Sequence, residues 1–245
     1  MPSMSGSQAV IQALRGEGVE VVFGLPGIQI MQIYDALFDV PEIRLITVRH
    51  EQTAVYMADG YARSTGKVGV GLVVPGPGVY NAGAALTTAY AASSQVLLIA
   101  GQIPSGGLGK NQGALHEVDD QLEIVRPVTK WSHRASTAQE IPAMIHEAMR
   151  QLRDGRPRPV EIEVAPDLLD SVVQMELIEP EKPFRLEPEV EDIEKAAELL
   201  ASAKKPLIWA GGGGNLSDAS SELQAVAELR RAPVVTTPEG QGALP

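Results

Sequence analysis

Glu51 is the strongest candidate in this sequence for a residue that takes part in chemistry. An apolar run at residues 43–48 ends shortly before it, and a helical pattern of apolar residues begins with it. Glu51 is therefore expected at the carboxyl end of a buried strand and in the first turn of a helix. A carboxylate there is stabilised by the helix dipole. The same position, after the carboxyl end of a strand, is also where α/β folds bind their ligands.

The composition excludes several classes of site. The chain has 245 residues, a net charge of −11 and no cysteine. The missing cysteines exclude disulfides, thiolate metal ligands and thiol catalysis. The acidic charge disfavours nucleic acid and anionic membranes as partners. The first six residues lack a basic segment followed by an apolar core, and no apolar run is long enough to cross a bilayer, so we expect a cytoplasmic protein.

Strands and helices alternate along the first part of the chain. Apolar runs predict strands at 19–23, 43–48, 68–74, 96–100 and 159–164, with helical patterns between them. This order predicts an α/β fold with a doubly wound, mostly parallel sheet and flanking helices. Ligands of such folds bind at the carboxyl ends of the strands. The turns at 24–27, 50–51 and 75–78 all follow strands and could share one rim, or could simply be tight turns.

The composition changes after residue 175. We predict one domain over residues 1–175, a proline-rich acidic linker over 176–190, and a second, incomplete α/β domain over 191–245. About 55 residues with two strands make a poor core, which is why the second domain is expected to be incomplete. The glycines at 211–214 follow a strand and could line a phosphate group.

Other sites are weakly indicated. Gly76 and Gly78 are followed by Asn81 where a dinucleotide-binding fingerprint needs a third glycine. The histidines show no ligand spacing, so no metal site is predicted within this chain. The residues concerned are His50, His116, His133 and His146.

Five segments in fixed order resemble a known family. They are Gly24-Leu25-Pro26-Gly27, Arg49-His50-Glu51-Gln52, Ala58-Asp59-Gly60-Tyr61-Ala62-Arg63, Gly76-Pro77-Gly78-x-x-Asn81 and Gly101-Gln102-Ile103-Pro104. The sequence is similar to the thiamine-diphosphate-dependent enzymes, and within them most to the acetolactate synthase group. The resemblance runs from about Ser7 to Pro245. It implies a pyrimidine-binding domain followed by the start of a middle domain.

The resemblance implies specific roles for the rim. In the family, a glutamate at the position of Glu51 hydrogen-bonds N1′ of the cofactor's aminopyrimidine and promotes deprotonation of the thiazolium C2, which then attacks a 2-oxo acid. Pro26 and Gly27 match the turn that borders the pyrimidine. A further segment matches residues that line the cofactor cavity and support a dimer: Gly76, Pro77, Gly78 and Asn81.

Two departures from the family pattern qualify this interpretation. Leu115 and His116 stand where acetolactate synthases usually carry Phe-Gln. His116 could relay protons to an intermediate, or it could only hold its loop. No Gly-Asp-Gly segment for Mg²⁺ and diphosphate occurs, so the resemblance implies that thiamine diphosphate and Mg²⁺ depend on a further domain. FAD binds the middle domain of acetolactate synthases but not of many relatives.

The resemblance thus implies an enzyme that decarboxylates pyruvate and joins the product to an acceptor, with a 2-oxo acid as substrate. We expect this chain to be truncated, inactive alone, and part of a homodimer or larger assembly formed through the pyrimidine domain. Two alternatives remain: a pyrimidine-domain subunit of a split 2-oxo acid decarboxylase, and an inactive oligomerisation or binding module.

Overall fold

A computed structural model describes residues 2–181 and 186–244, and the chain divides into two compact units, Met1–Phe184 and Arg185–Pro245. The predicted linker at 176–190 includes residues 182–185, which lie outside the described residues. Within the described ranges, no helix is long and apolar enough to cross a membrane.

The first unit alternates strands and helices, as predicted. Its elements in chain order are β1 Ser3–Ser5, α1 Gly6–Gly16, β2 Val21–Gly24, α2 Met31–Phe38, β3 Arg44–Thr47, α3 Glu51–Thr65, β4 Gly69–Val73, α4 Pro77–Ala92, β5 Val96–Gly101, α5 Gln121–Val125, β6 Trp131–Arg134, α6 Ile141–Arg153, β7 Val160–Val164, α7 Pro166–Asp170 and β8 Val172–Gln174. Six strands form one sheet in the order β3-β2-β4-β5-β7-β6, and every pair is parallel. The predicted doubly wound α/β fold is confirmed.

Two apolar cores cover the two faces of this sheet. One core packs residues of α1, α2 and α6 against the sheet, and the other packs residues of α3 and α4 against the opposite face. All residues of β4 and β5 are buried, which explains their continuous apolar sequence. A Cβ added at Gly69 would lie 2.0 Å from the carbonyl oxygen of Ala58, so α3 approaches β4 as closely as glycine allows.

Local sequence signals set the helix ends. His50 caps α3, since its Nδ1 accepts from the backbone N–H of Gln52 at 3.2 Å. Gly66 ends α3 with φ of +71°, as predicted for a glycine cap. Helix α4 begins at Pro77, because proline is favoured in the first turn of a helix.

The sequence analysis missed several short elements. Strand β6, with the sequence WSHR, is only half-buried at one edge of the sheet and has no apolar run. Strands β1 and β8 form a separate antiparallel pair of three residues each. The short helix α5 begins at Gln121, where the Asp120 side chain caps it.

The second unit contains α8 Val190–Ser202, β9 Ile208–Ala210, α9 Gly212–Leu216, α10 Ser220–Arg230 and β10 Val234–Thr236. Strands β9 and β10 are parallel. The predicted glycine turn at 211–214 largely becomes the five-residue helix α9. An apolar cavity of about 510 Å³ lies beside it, lined in part by Leu200, Trp209 and Val226.

Candidate functional site

The carboxyl ends of β2, β3, β4 and β5 meet at one edge of the sheet, which we call the rim. Glycines allow the segments of the rim to pack closely. A Cβ at Gly27 would lie 2.1 Å from Cγ1 of Val74, and one at Gly78 would lie 2.8 Å from Cγ2 of the same valine. A Cβ at Gly101 would lie 3.0 Å from Cδ of Pro75. The turns that the sequence places after separate strands are therefore in contact.

Glu51 is the buried acid of the rim. It is the first residue of α3 and is 8% exposed. Asn81 Nδ2 donates a hydrogen bond to Glu51 Oε2 at 2.9 Å, across 30 residues of sequence. The Cγ atom of Glu51 would lie 3.6 Å from a Cβ added at Gly78. Within the described part of the chain, no backbone N–H of α3 donates to this carboxylate, and the cap comes from His50 instead. Glu51 therefore faces α4 and does not cap its own helix.

Tyr34 places a buried hydroxyl near Glu51. The Tyr34 hydroxyl would lie 2.3 Å from a Cβ at Gly24, and it has no hydrogen-bond partner among residues 2–181. Burial raises the pKa of the Tyr34 phenol well above its usual value, and the negative charge of Glu51 raises it further. The charge of Glu51 thus affects the pKa of a side chain on α2.

His116 belongs to a loop that packs on the rim. Gly76 has φ of +56°, and a Cβ there would lie 2.5 Å from the carbonyl oxygen of His116. His116 itself has φ of +69°, an uncommon conformation for a residue with a side chain. Gln29 Nε2 donates to the carbonyl oxygen of Leu115 at 3.1 Å and holds this loop against the turn after β2. The structure brings the backbone of His116 to the rim, and its Nδ1 is buried without a partner in the described ranges.

Gln121 fastens two strand ends together. Its side chain is fully buried, its Oε1 accepts from the N–H of Gly76 at 2.7 Å, and its Nε2 donates to the carbonyl oxygen of Gly101 at 3.1 Å. Sequence reasoning missed Gln121, Gln29 and Tyr34. The first two act on residues 20 to 86 positions away, which no local pattern reveals.

The other predicted site residues also lie on the rim. Pro26 and Gly27 follow β2, and the segment from Gly76 to Asn81 contains the start of α4. The remaining histidines lie elsewhere: His133 contacts Glu140, and His146 contacts Glu17. Among the described residues, no three or more His, Cys, Asp or Glu side chains are grouped to hold a metal ion.

A doubly wound parallel sheet with a buried carboxylate at its carboxyl edge defines a ligand-binding α/β domain. Family models specify the domain further. Residues 4–124 match the N-terminal TPP binding domain of thiamine pyrophosphate enzymes, and residues 193–245 match the central domain of the same enzymes. The chain belongs to the thiamine pyrophosphate enzyme family.

Curated relatives agree with this family. The chain is 41% identical to the acetolactate synthase large subunit of Haemophilus influenzae over 251 residues, which cover 100% of the chain and 43% of that protein. It is 38% identical to the probable acetolactate synthase large subunit of Methanocaldococcus jannaschii over 99% of the chain and 42% of that protein. It is 39% identical to the probable 2-ketoarginine decarboxylase of Pseudomonas aeruginosa over 99% of the chain and 43% of that protein. The chain thus spans less than half the length of these relatives.

The rim suits one end of the family's cofactor. A buried carboxylate with a single side-chain donor keeps lone pairs free to accept a hydrogen bond from a protonated ring nitrogen. The residues of the rim therefore fit the aminopyrimidine end of the cofactor.

Proposed function

We propose that this protein is a thiamine-diphosphate-dependent enzyme acting on a 2-oxo acid, and that Glu51 is its cofactor-activating residue. The observation that carries the proposal is the position of Glu51, buried at the carboxyl edge of the sheet and turned toward Asn81 on the next helix. A carboxylate that served only to stabilise the start of α3 could remain exposed to solvent, whereas Glu51 is buried and needs the donor from α4. A Cβ at Gly78 would lie 3.6 Å from Cγ of Glu51, and the remaining predicted site residues lie on the same rim.

The residues of the chain have separate roles toward the cofactor. When bound, thiamine diphosphate supplies a carbon nucleophile for the carbonyl group of a 2-oxo acid. Glu51 accepts a hydrogen bond from the aminopyrimidine ring nitrogen and exchanges its proton. Asn81 holds the carboxylate in one orientation through its bond to Oε2. Burial of Glu51 beside Val73 and Val74 excludes water and strengthens the hydrogen bond to the ring.

We propose an acetolactate-synthase-like reaction, in which pyruvate is decarboxylated and joined to a second carbonyl compound. Its support is the similarity to acetolactate synthase large subunits over the whole chain. A decarboxylase of a larger 2-oxo acid is a second candidate. It is favoured by the equally strong similarity to a probable 2-ketoarginine decarboxylase, and by a histidine packed on Gly76. Product analysis with pyruvate and with longer 2-oxo acids separates the two: acetolactate supports the first, and an aldehyde from the longer acid supports the second.

Cofactor and partner proposals follow from the same family. The relatives are more than twice as long as this chain. We propose that Mg²⁺ and the diphosphate bind residues that correspond to the unmatched part of those relatives. The support for FAD is the glycine-rich segment at 211–214 with its adjoining apolar cavity, and visible absorbance of the purified protein tests it.

A second copy of the chain is the proposed partner of the face formed by α3 and α4. This face exposes three large side chains, Tyr56 and Met57 of α3 and Tyr80 of α4. They are 40%, 37% and 62% exposed. Exposed apolar clusters of this kind mark association surfaces. Sedimentation of Tyr80→Glu beside the matched variant Phe38→Glu tests the proposal, because Phe38 is 89% exposed on α2. Dissociation of the first variant alone supports it, and equal behaviour of both contradicts it.

Substrate consumption tests the role of Glu51. In the full-length protein, Glu51→Gln is expected to abolish consumption of the 2-oxo acid, because the amide cannot exchange the proton. Glu42→Gln is the matched control, since Glu42 is exposed and pairs with Arg15 at 3.6 Å. The control is expected to keep its activity. An active Glu51→Gln protein would contradict the proposed role.

A further inference from the structure

Strand β7 carries two acidic residues inside the sheet. Its sequence is Val-Glu-Ile-Glu-Val, and all five residues are buried. Alternation directs the apolar residues into one core and Glu161 and Glu163 to the opposite face, where they lie beside Leu98 and Ala100 of β5. Both glutamates are 0% exposed. Fully buried acids are rare unless they are paired, because a buried charge loses its hydration.

The two carboxyl groups have unequal partners. Glu163 Oε2 accepts hydrogen bonds from Arg134 Nε and from Gln102 Nε2, the latter at 3.1 Å. Neither oxygen of Glu161 has a hydrogen-bond partner among the residues that the structure describes. The Arg134 guanidinium therefore forms an ion pair with Glu163, and Glu161 has no ion pair of its own among the described residues.

Arg134 is the cation in contact with this pair, through Glu163, and the nearby cation Arg158, ahead of β7, lies over the ring of Tyr90 on α4. Strand β6 contributes Arg134, and Asp120, ahead of α5, lies 3.5 Å from that guanidinium. Glu123 of α5 and Arg126 after it are exposed and pair with each other at 2.6 Å. Helix α4 has no charged residue, and β5 has none. Burial raises the pKa of Glu161 well above its usual value, the charge of Glu163 raises it further, and Arg134 opposes both effects.

This cluster is connected to the rim. Arg134 contacts Glu163 on one side and Asp120 on the other. Asp120 caps α5 by accepting from the N–H of Leu122 at 3.1 Å. The first residue of α5 is Gln121, which holds the N–H of Gly76 at the rim. A chain of direct contacts thus links Glu163 to the start of α4, and Glu161 acts on it through its neighbouring charge.

We propose that Glu161 and Glu163 form a proton-dependent anchor for α5, in which protonated Glu161 keeps the cluster intact and its ionisation as pH rises loosens the contact between Gln121 and Gly76. A second uncompensated charge beneath α5 would draw in water or displace Arg134 from Asp120. Either change releases the cap of α5. The proposal concerns the fold of the first unit and does not depend on the proposed enzymatic function.

The direction of the pH dependence follows from linkage. Glu161 binds its proton more tightly in the folded chain than in the unfolded chain. Its contribution to stability is therefore complete below the usual pKa of a glutamate and is lost as pH rises toward the folded pKa. Over that range one proton is released on unfolding, so the unfolding equilibrium constant increases up to tenfold for each pH unit.

Denaturation by urea between pH 5 and 9 tests the proposal on the 245-residue chain. Glu161→Gln keeps the shape and neutrality of the protonated side chain, and Glu123→Gln is the matched control on the exposed side of α5. A Trp209→Phe background restricts the fluorescence signal to Trp131 of the first unit. We expect the unfolding constant of the parent chain to rise up to tenfold per pH unit relative to Glu161→Gln, and that of the control to follow the parent.

Hydrogen exchange at the Gly76 amide tests the connection to the rim. At pH 9, protection of Gly76 should be lower in the parent chain than in Glu161→Gln measured at the same pH. Equal pH profiles, or equal protection of Gly76, would overturn the proposal. If Glu161→Gln does not fold, the ¹³C carboxyl shift of Glu161 in the parent chain decides: a titration midpoint well above the usual value of a glutamate supports the proposal, and a midpoint at the usual value refutes it.

Discussion

Replacement of Gln121 by leucine tests how the rim is held together. Leucine has a similar volume and leaves no cavity, but it removes both hydrogen bonds of the fully buried amide. The N–H of Gly76 then lacks an acceptor, which costs about 1–3 kcal/mol for a buried donor. The lost bond to the carbonyl oxygen of Gly101 adds about 1 kcal/mol. The expected loss in the free energy of unfolding is therefore about 2–4 kcal/mol.

Two measurements check this magnitude. Urea denaturation of Gln121→Leu gives the change in unfolding free energy of the first unit. Hydrogen exchange at Gly76 should accelerate by at least about tenfold, the equivalent of roughly 1.4 kcal/mol. Gln112→Leu is the matched control, because Gln112 is exposed in the preceding loop. Its expected effect is within about 0.5 kcal/mol.

The reasoning is refuted if Gln121→Leu is as stable as the control and Gly76 keeps its protection. Such a result would mean that water satisfies the Gly76 amide as well as Gln121 does. A stable protein with rapid exchange at Gly76 would instead confirm a local anchor with little effect on global unfolding.

The glycines of α3 and its neighbours give further predictions. Gly69→Ala should destabilise the chain by about 1–3 kcal/mol, because the new methyl group would lie 2.0 Å from the carbonyl oxygen of Ala58. Gly66→Ala should cost about 1–2 kcal/mol, since φ of +71° is unfavourable for alanine. Gly60→Ala is the control for both, because nothing lies within 4 Å of its added Cβ, and it should stabilise α3 by about 0.5–1 kcal/mol. Thermal denaturation measures all three, and destabilisation by Gly60→Ala would contradict this account of α3.

The sequence predicts the centre of the sheet because its central strands are buried on both faces. The continuous apolar residues of β4 and β5 leave little choice of structure. Strand β6 could not be predicted, since it contains Trp131, Ser132, His133 and Arg134 and is only half-buried. Its place in the sheet depends on pairing with β7, which is a tertiary contact.

The candidate site shows the same division. The position of Glu51 follows from the apolar run before it and the helical pattern after it. The sequence placed Asn81 in the same region but did not indicate that it donates to Glu51. Gln121 and Gln29 could not be assigned, because each bonds to backbone atoms far away in sequence. Side chains that serve distant backbone groups leave no local pattern.

Exchange of the thiazolium C2 proton is the most direct test of the role of Glu51. The measurement follows the loss of the C2 proton signal of thiamine diphosphate in D₂O, bound to the full-length protein or to its Glu51→Gln or Glu42→Gln variant. We predict that Glu51→Gln slows exchange by about 10²- to 10⁴-fold, the usual contribution of a positioned general acid or base, with circular dichroism unchanged. Glu42→Gln should exchange as the parent does. Undiminished exchange in Glu51→Gln would contradict the central claim and leave Glu51 as a carboxylate that only stabilises the start of α3.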